Sequence, residues 1–270
     1  MSKIVVFGAG GRAGVRVVAE AVERGHEVTA VVRDPGKYAG VWGSSGTGSS
    51  GVSSSRVGSS GTGPSGAGAS GARSSEAASS EAGSSGAGFS GMRSSGMRSS
   101  GARVRVVAGD VTDLASVAEV AAGHDAAVQV AARLDVSSEE FYTAAARALV
   151  GGLGQAGVSR LVAVGIGSLL EVSPGVRLVD TPDFPAEARA FSLGHAAELE
   201  VFEKSGLDWV VLAPPPVFLD ESASRTGRYR IGGGEVPALE PVFSFADLGV
   251  AVVDEVERPR HHRVQVAVSY

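Results

Sequence analysis

The sequence predicts an α/β fold built on one doubly wound parallel sheet, and three observations predict it. Candidate strands and candidate helices alternate along the chain, on both sides of a central low-complexity segment. The candidate strands are apolar at successive positions, as strands that are covered by helices on both faces must be. A glycine-rich turn joins the first strand to the first helix, where the chain must change direction within a few residues.

The chain before the low-complexity segment predicts a strand, a helix and a second strand. Residues 3–7 form an apolar run that ends in glycines, which is typical of a buried strand. Three valines between residues 15 and 22 recur at helical spacing, and Gly25 follows as the end of this helix. Residues 27–33 are rich in valine and predict the second strand.

Residues 43–102 form the low-complexity segment, in which 38 of the 60 residues are Gly or Ser. Such a segment has too little apolar surface to offset the entropy of ordering it. We therefore predict a flexible surface insertion, with a partner-binding or phosphorylated arm as the alternative. The chain then divides into residues 1–42, the insertion 43–102 and residues 103–270, and the two outer parts form one domain of about 210 residues.

The chain after the insertion repeats the alternation of strands and helices. We predict strands at residues 104–108, 126–131, 160–164, 209–213 and 263–268, and helices at 114–122, 139–155, 186–205 and 246–257.

The composition excludes several classes of protein. The chain has no Cys, which excludes disulfides and thiolate chemistry. Its net charge is -5, and its basic residues form no stripe that would bind nucleic acid. It shows neither a signal peptide nor an apolar run long enough to span a membrane. The two adjacent histidines near the end have no carboxylate at ligand spacing, so we expect no metal. We expect a cytoplasmic monomer or weak homodimer that acts on a small molecule.

The turn after the first strand carries a dinucleotide-binding motif. Gly8, Gly10 and Ala13 fit the pattern G-x-G-x-x-[GA], and Gly8, Gly11 and Gly14 fit G-x-x-G-x-x-G. Glycine keeps this turn tight and lets the backbone approach a pyrophosphate, which the N-terminus of the following helix binds. The position of the motif between a strand and an amphipathic helix predicts a Rossmann fold that binds NAD or NADP.

The end of the second strand favours NADP over NAD. Domains that bind NAD usually place an acidic residue there, and those that bind NADP use a basic residue for the 2′-phosphate. Here Arg33 ends the strand and Lys37 follows, with Arg12 of the glycine loop as a third candidate cation. Asp34 could contact a ribose, but the following Pro35 indicates instead that Asp34 caps a short helical turn.

The sequence resembles the atypical short-chain dehydrogenase/reductases of the NmrA-like NAD(P)H-binding family, close to the biliverdin reductase B (flavin reductase) group. The motifs that carry the resemblance are GAGGRAG at residues 8–14, GHEVTAVVRDP, VRVVAGDVTD, SGLDWVVLAPPPVF and TGRYRIGG. The resemblance implies that Asp110 and Val111 lie beside the adenine, and that Ala131 and Ala132 lie along the cofactor. The usual loop of this family reads G-A-T-G-x-T-G, so Gly and Ala at positions 10 and 13 replace two threonines.

The resemblance also draws attention to His195. Many members of the wider superfamily use a Ser, a Tyr and a Lys for catalysis, and Phe191 and His195 occupy the Tyr and Lys positions here. The Ser position falls near Ile166, with Ser168 two residues later. Phe191 cannot donate a proton, whereas a histidine can at neutral pH. His195 can therefore donate a proton, contact the cofactor or be structural, and the sequence favours the contact; Ser168 is a second catalytic candidate.

Two functions remain open from the sequence. The first is an NADPH-dependent reductase of a small aromatic or conjugated acceptor, such as a flavin, a quinone or a secondary metabolite. The second is a non-catalytic NmrA-like sensor that binds NADP and reports its redox state to a partner. The resemblance to short reductase-like members favours the enzyme.

Overall fold

The computed structural model of the chain describes residues 1–38, 41–42, 104–215, 219–237 and 243–270. The low-complexity segment at residues 43–102 lies outside these residues, so the prediction of a flexible insertion stays a prediction. The strands are β1 (Lys3–Phe7), β2 (Glu27–Val32), β3 (Val104–Ala108), β4 (Ala126–Gln129), β5 (Arg160–Val164), β6 (Glu171–Ser173), β7 (Val176–Arg177), β8 (Asp208–Ala213), β9 (Leu219–Asp220), β10 (Arg230–Ile231), β11 (Phe243–Ser244) and β12 (Val264–Ser269). The α-helices are α1 (Arg12–Glu23), α2 (Leu114–Ala121), α3 (Ser138–Ala156), α4 (Ala186–Glu203) and α5 (Phe245–Glu257).

Eight strands form the central sheet in the order β10-β12-β8-β5-β4-β1-β2-β3. Every pair of neighbours in this sheet is parallel except β10 and β12, which are antiparallel. The order reverses beside β1, because β2 and β3 lie on one side of it and β4 and β5 on the other. Ligands bind at such a reversal, beyond the carboxyl ends of the strands.

Helices cover both faces of the sheet, and the alternation of side chains along β1 shows how. Ile4 and Val6 point into a core that includes residues of α1 and α5. Val5 and Phe7 point into a second core, with residues of α2, α3 and α4. Successive residues of a strand face opposite sides, so a strand buried on both sides is apolar throughout. The predicted class, a doubly wound parallel sheet, is confirmed.

The predicted elements agree with the structure to within a few residues. The strands predicted at 3–7, 104–108 and 160–164 have the predicted bounds. The fourth strand ends at Gln129 rather than at Ala131, where the side chain of Gln129 accepts a hydrogen bond from the backbone N–H of Ala131. The short strands β6, β7, β9, β10 and β11 were not predicted, because two or three residues are too few for a periodic pattern. Within the described residues no helix is both long enough and apolar enough to cross a bilayer.

Candidate functional site

A cavity of about 670 Å³ lies at the carboxyl ends of the central strands. The loops after β1 to β5 form most of its wall, and residues of α3, α4 and α5 and of the chain after β8 contribute the rest. Most of the residues that the sequence predicts for the site line this cavity, namely Gly8, Gly10, Gly11, Arg12, Ala13, Arg33, Lys37, Asp110, Val111, Ala131, Ala132 and His195.

The glycine loop turns tightly between β1 and α1. Gly8 has a φ of 80°, and a Cβ atom there would lie 2.4 Å from the backbone of Ala131. The N–H of Gly11 donates to the carbonyl oxygen of Gly8 at 3.0 Å, which closes the turn. Gly14 is buried and packs against Gly8 and Ala9 rather than lining the cavity. The loop therefore requires Gly8 for both its conformation and its contact with the chain after β4.

The first turn of α1 has no side-chain cap. Its N-cap residue is Gly11, and no acidic residue lies in that turn. Side chains of Asp113, Ser137 and Ser244 instead cap α2, α3 and α5. The N-terminus of a helix carries a partial positive charge and unpaired N–H groups, which suit a phosphate. The residues present therefore fit the pyrophosphate of a dinucleotide.

Two exposed cations, Arg33 and Lys37, lie at the edge of the cavity beyond the end of β2. Neither forms an ion pair with another residue in the described part of the chain. Between them, Oδ1 of Asp34 accepts a hydrogen bond from the N–H of Gly36 at 3.0 Å, where a 3₁₀ turn begins. Asp34 thus caps this turn, as the sequence predicts, and both cations face the solvent where a phosphate could reach them.

Arg12 is already engaged by other parts of the chain. Its guanidinium donates to Oε1 of Glu221 at 3.0 Å and lies 5.3 Å from the centre of the Phe245 ring. A phosphate would have to compete with Glu221 for this cation. Arg33 and Lys37, unlike Arg12, therefore have no ion-pair partner among the described residues at this end of the cavity.

Asp110 lies just beyond β3 and makes mainly local contacts. Its Oδ1 accepts hydrogen bonds from the N–H and the hydroxyl of Thr112, at 2.8 and 2.7 Å. Burial opposes ionisation, but the hydrogen bonds from Thr112 and the charges of Arg133 and Arg33 hold the pKa of Asp110 below its ordinary value. Asp110 is therefore an ionised, oriented acceptor, and the neighbouring Val111 is buried against the cavity wall.

The opposite end of the cavity is aromatic and comes from two helices. Tyr142 of α3 lies over His195 of α4, with ring centroids 3.9 Å apart and planes tilted by 35°. Phe191 packs edge to face against both, with centroids 5.1 Å from His195 and 5.9 Å from Tyr142. Phe141 also lines the cavity and packs edge to face on Tyr142. A planar, conjugated molecule would find stacking partners here.

A close approach of α3 and α4 creates this aromatic end. A Cβ atom at Gly194 would lie 2.3 Å from Oγ of Ser138, so only glycine fits between the helices at this level. The hydroxyl of Ser138 also donates to the carbonyl oxygen of Phe191 at 3.2 Å. These contacts fix α4 so that His195, the next residue after Gly194, meets Tyr142.

His195 is buried and pairs with a carboxylate. Its Nδ1 lies 3.1 Å from Oε2 of Glu198, three residues further along α4, and both side chains are less than one-tenth exposed. Burial, and then the charge of Glu198, raises the pKa of Tyr142 and keeps its phenol protonated. The cavity wall therefore includes an imidazole with one nitrogen held by a buried acid.

Ser168, the second catalytic candidate, is not brought to the cavity. It is buried in a 3₁₀ turn after β5, and its hydroxyl donates to Oγ of Ser192 at 2.8 Å. Ser192 in turn donates to the carbonyl oxygen of Ala188. Because this hydroxyl is used inside the protein, a substrate in the cavity would not meet it.

Besides Phe141, four residues with polar side chains at the site were not identified from the sequence. Tyr38 donates to the carbonyl oxygen of Gly10 at 3.2 Å, and Arg133 lines the cavity near Asp110. Tyr142 and Glu198 complete the surroundings of His195. A glutamate three residues after a histidine lies on the same face of a helix, so the spacing was a usable signal for Glu198. No local pattern indicates the other three.

A second recess of about 640 Å³ shares no residue with this cavity. It is lined by Thr226, Arg228, Tyr229, Arg230 and Tyr270. The described residues contain no cluster of His, Cys, Asp and Glu that could hold a metal ion. The cavity at the glycine loop therefore remains the best candidate site.

Comparison with known proteins places the chain in a family. The model of the NAD(P)H-binding family matches residues 68–259, which is more than half of the chain. The matched range ends just beyond α5 and does not include the glycine loop.

Individual proteins resemble the chain over almost its whole length. An uncharacterised Bacillus subtilis protein, YwnB, is 27% identical over 98% of this chain and 97% of its own. A solved structure of a Burkholderia pseudomallei protein, thought to be exported, is 30% identical with a TM-score of 0.69, and all of both chains is covered. A proposed NADH-flavin reductase from Streptococcus pneumoniae has a TM-score of 0.68 at 22% identity, covering 100% of this chain and 99% of its own. Because the Burkholderia relative is thought to be exported, a cytoplasmic location stays a prediction here.

Proposed function

The chain belongs to the NAD(P)H-binding family of atypical short-chain dehydrogenase/reductases, and from this premise we propose that it is an NADPH-dependent oxidoreductase. Its acceptor would be a small conjugated or aromatic molecule, such as a flavin, a quinone or a secondary metabolite. The observation that carries this proposal is the continuity of the cavity, which joins the glycine loop to the aromatic end around His195. A dinucleotide and a planar acceptor need such an arrangement in order to meet.

The two ends of the cavity suit the two ends of NADPH. In such sheets the pyrophosphate lies at the N-terminus of the first helix and the adenosine lies beyond the second strand. The adenosine would therefore lie on the side of β2 and β3, and the nicotinamide on the side of β4 and β5. The residues we propose to hold the cofactor are Gly8, Gly10, Gly11 and Ala13 at the pyrophosphate, Arg33 and Lys37 at the 2′-phosphate, Asp110 and Val111 at the adenine, and Ala131 and Ala132 beyond β4.

The preference for NADPH rests on Arg33 and Lys37. A charge-assisted hydrogen bond to a phosphate contributes about 1.5–3 kcal/mol to the binding free energy. Both cations are exposed, so a 2′-phosphate could reach them. The acidic residue that would grip the ribose of NADH is Asp34, whose Oδ1 is occupied as a cap. The Streptococcus neighbour is described as a proposed NADH-flavin reductase, and our preference for NADPH is argued only from the charges of Arg33 and Lys37 in this chain.

The protein's own part in the reaction is to bind and orient the cofactor and the acceptor and to protonate the acceptor. When it is bound, the dihydronicotinamide supplies a hydride to the acceptor. Phe141, Tyr142 and Phe191 would stack the acceptor and exclude water from it. His195 would lie beside the reacting groups, and its imidazole is a polar ring that lines the cavity at this end.

The experiment that tests the proposal is a screen of NADPH oxidation against flavins, quinones and enones, combined with binding of NADPH and NADH. We expect turnover with at least one planar acceptor and tighter binding of NADPH than of NADH. Tight NADPH binding without turnover of any acceptor would contradict the enzyme and favour the NmrA-like sensor. Equal affinity for the two cofactors would contradict the role of Arg33.

A further inference from the structure

Glu198 is a buried carboxylate with a single hydrogen-bond partner. It is 2% exposed, and its Oε2 contacts Nδ1 of His195. Its other oxygen, Oε1, is buried and has no partner among the described residues. Carboxylates buried in proteins are usually paired with a cation or with several donors. Glu198 therefore depends on His195 for whatever compensation its charge receives.

Two contacts of His195 determine which of its ring nitrogens faces the cavity and what surrounds the ring. A proton on Nδ1 would donate to Glu198, and a second proton on Nε2 would make the ring an imidazolium that neutralises the buried carboxylate. The face of Tyr142, at 3.9 Å between centroids, adds an attraction for a cation. Because Nδ1 is held by Glu198 and the ring lines the cavity, Nε2 is the nitrogen left to meet a bound molecule.

We propose that Glu198 is a positioning residue that holds His195 as an imidazolium with its Nε2–H available to the cavity, so that His195 is the proton donor of the reaction. This inference rests on the proposed function and deepens it. The sequence alone favoured a cofactor contact for His195, because the sequence did not bring Glu198 into consideration.

In the proposed step the acceptor gains one hydride and one proton. The acceptor receives two electrons and a proton as hydride at one atom, and the electron pair that this displaces moves onto an oxygen or nitrogen of the acceptor. The Nε2–H bond of His195 breaks, its electron pair stays on the ring, and the proton bonds to that oxygen or nitrogen. The neutral imidazole keeps its Nδ1–H on Glu198, and water returns a proton to Nε2 before the next turnover.

Other groups at this end are poorer donors. The titratable groups that face His195 in the described residues are Glu198 from its own helix and Tyr142 from α3. The pKa of Tyr142 is raised by burial and by the charge of Glu198, so its phenol is a weaker acid than an ordinary tyrosine. The hydroxyl of Ser168 is bonded to Ser192. These arrangements leave His195 as the donor.

The test combines spectroscopy with kinetics on the full chain. ¹⁵N NMR of protein labelled in its five histidines reports which ring nitrogens carry protons, and the His195→Gln spectrum identifies the signals of His195. The variants are Glu198→Gln, Glu198→Asp as the conservative rescue, and Ser192→Ala as a matched control that removes a buried hydrogen bond from α4 away from the cavity. The affinity for NADPH is measured for each variant.

We expect both ring nitrogens of His195 to be protonated in the wild type and only one in Glu198→Gln. We expect kcat to fall by about 10²-fold in His195→Gln and by about tenfold or more in Glu198→Gln, with partial rescue in Glu198→Asp and NADPH affinity unchanged. Ser192→Ala should keep the wild-type kcat. If the role of Glu198 were only structural, Glu198→Gln would lower the melting temperature and leave the kcat of the folded protein unchanged.

A neutral His195 in the wild type would overturn the inference, and this measurement needs no Glu198 variant, only folded His195→Gln protein to assign the signals of His195. The inference would also be overturned if Glu198→Gln left both the ¹⁵N spectrum of His195 and kcat unchanged. If no acceptor is reduced at all, the proposed function fails, whereas the protonation of His195 still decides whether Glu198 holds an imidazolium. If acceptors are reduced but His195 is neutral, the function stands and the inference fails.

Discussion

The two ends of the cavity are built in different ways. The end that we propose to hold the phosphates, called the phosphate end below, consists of loops after β1, β2 and β3, with backbone N–H groups and the exposed cations Arg33 and Lys37. The aromatic end consists of buried side chains of α3 and α4, with His195 held between Tyr142 and Glu198. The first end exposes its charged side chains to the solvent, whereas the second end buries its ionisable side chains away from the solvent.

This difference indicates how binding and chemistry are divided. Backbone donors and exposed cations recognise phosphate groups that are the same in every NADPH-dependent protein. A buried imidazole between aromatic rings depends on helix packing, and it can act on a molecule that is held beside it. We therefore expect substitutions at the phosphate end to change affinity and substitutions at the aromatic end to change the rate.

The largest expected effect is that of Gly8→Ala, which changes the tight turn between β1 and α1 at the phosphate end. A φ of 80° strains any L-residue other than glycine, and the added Cβ would lie 2.4 Å from the backbone of Ala131. Strain and overpacking together predict a loss of about 2–5 kcal/mol in the free energy of unfolding, and NADPH binding should be lost with it. Chemical denaturation and NADPH fluorescence measure both.

Gly123→Ala is the matched control for this substitution. Gly123 has a φ of 75°, but no atom lies within 4 Å of where its Cβ would be. Gly123→Ala should lower the free energy of unfolding only by the backbone strain, about 1–2 kcal/mol, and should leave the affinity for NADPH unchanged. Equal effects of the two substitutions would show that the contact between the glycine loop and Ala131 does not matter.

Arg33→Ala removes one exposed cation from the same end without disturbing the fold. Loss of about 1.5–3 kcal/mol of phosphate contact would reduce the preference for NADPH over NADH by one to two orders of magnitude. Lys37→Ala should have a smaller effect in the same direction, and Arg147→Ala, an exposed cation on α3, should have none. Titration of each variant with both cofactors checks this, and an unchanged ratio in Arg33→Ala would refute the assignment.

Gly194→Ala tests the aromatic end by separating its two helices. The new Cβ would lie 2.3 Å from Oγ of Ser138, so α3 and α4 must shift at a cost of about 1–3 kcal/mol. We expect a lower kcat with little change in NADPH affinity. Gly154→Ala in α3 is the control, because its Cβ would meet no atom within 4 Å and alanine favours the helix by about 0.5–1 kcal/mol. A wild-type rate in folded Gly194→Ala would mean that this helix packing does not support the chemistry.

The smallest effect is expected from replacing residues 43–102 by a linker of about 12 Gly and Ser residues. β2 and β3 are parallel neighbours, so the connection must cross the length of a strand and cannot be a short turn. Shortening the connection should change the free energy of unfolding by no more than about 1.5 kcal/mol. Calorimetry and NADPH binding check this, and loss of either folding or binding would contradict the prediction of an insertion.

The sequence identifies most of the residues that line the glycine-loop end of the cavity and few of those at the aromatic end, for a physical reason. The loop, the cation at the end of β2 and the cap formed by Asp34 are local features, each confined to a few residues. The contact of Tyr142 with His195 depends on two helices that are far apart in the chain and on the small size of Gly194 between them. Periodicity places each residue on its helix but does not say which faces meet.

Ser168 illustrates the same limit. The resemblance to the wider superfamily locates the Ser position approximately, but only the structure shows that the hydroxyl of Ser168 is bonded to Ser192. Similarly, Arg12 lies in the glycine loop as predicted, and its pairing with Glu221 joins segments that no local pattern connects.

The division of the cavity is tested most directly by measuring NADPH affinity and kcat together for two variants, Arg33→Ala and His195→Gln. We predict that Arg33→Ala weakens NADPH binding and leaves kcat at saturating cofactor unchanged. We predict the opposite for His195→Gln, in which kcat falls by about 10²-fold while NADPH affinity stays within a few-fold of the wild type. If kcat and affinity fell together in both variants, or if His195→Gln kept the wild-type kcat, the two ends would not have the separate roles proposed here.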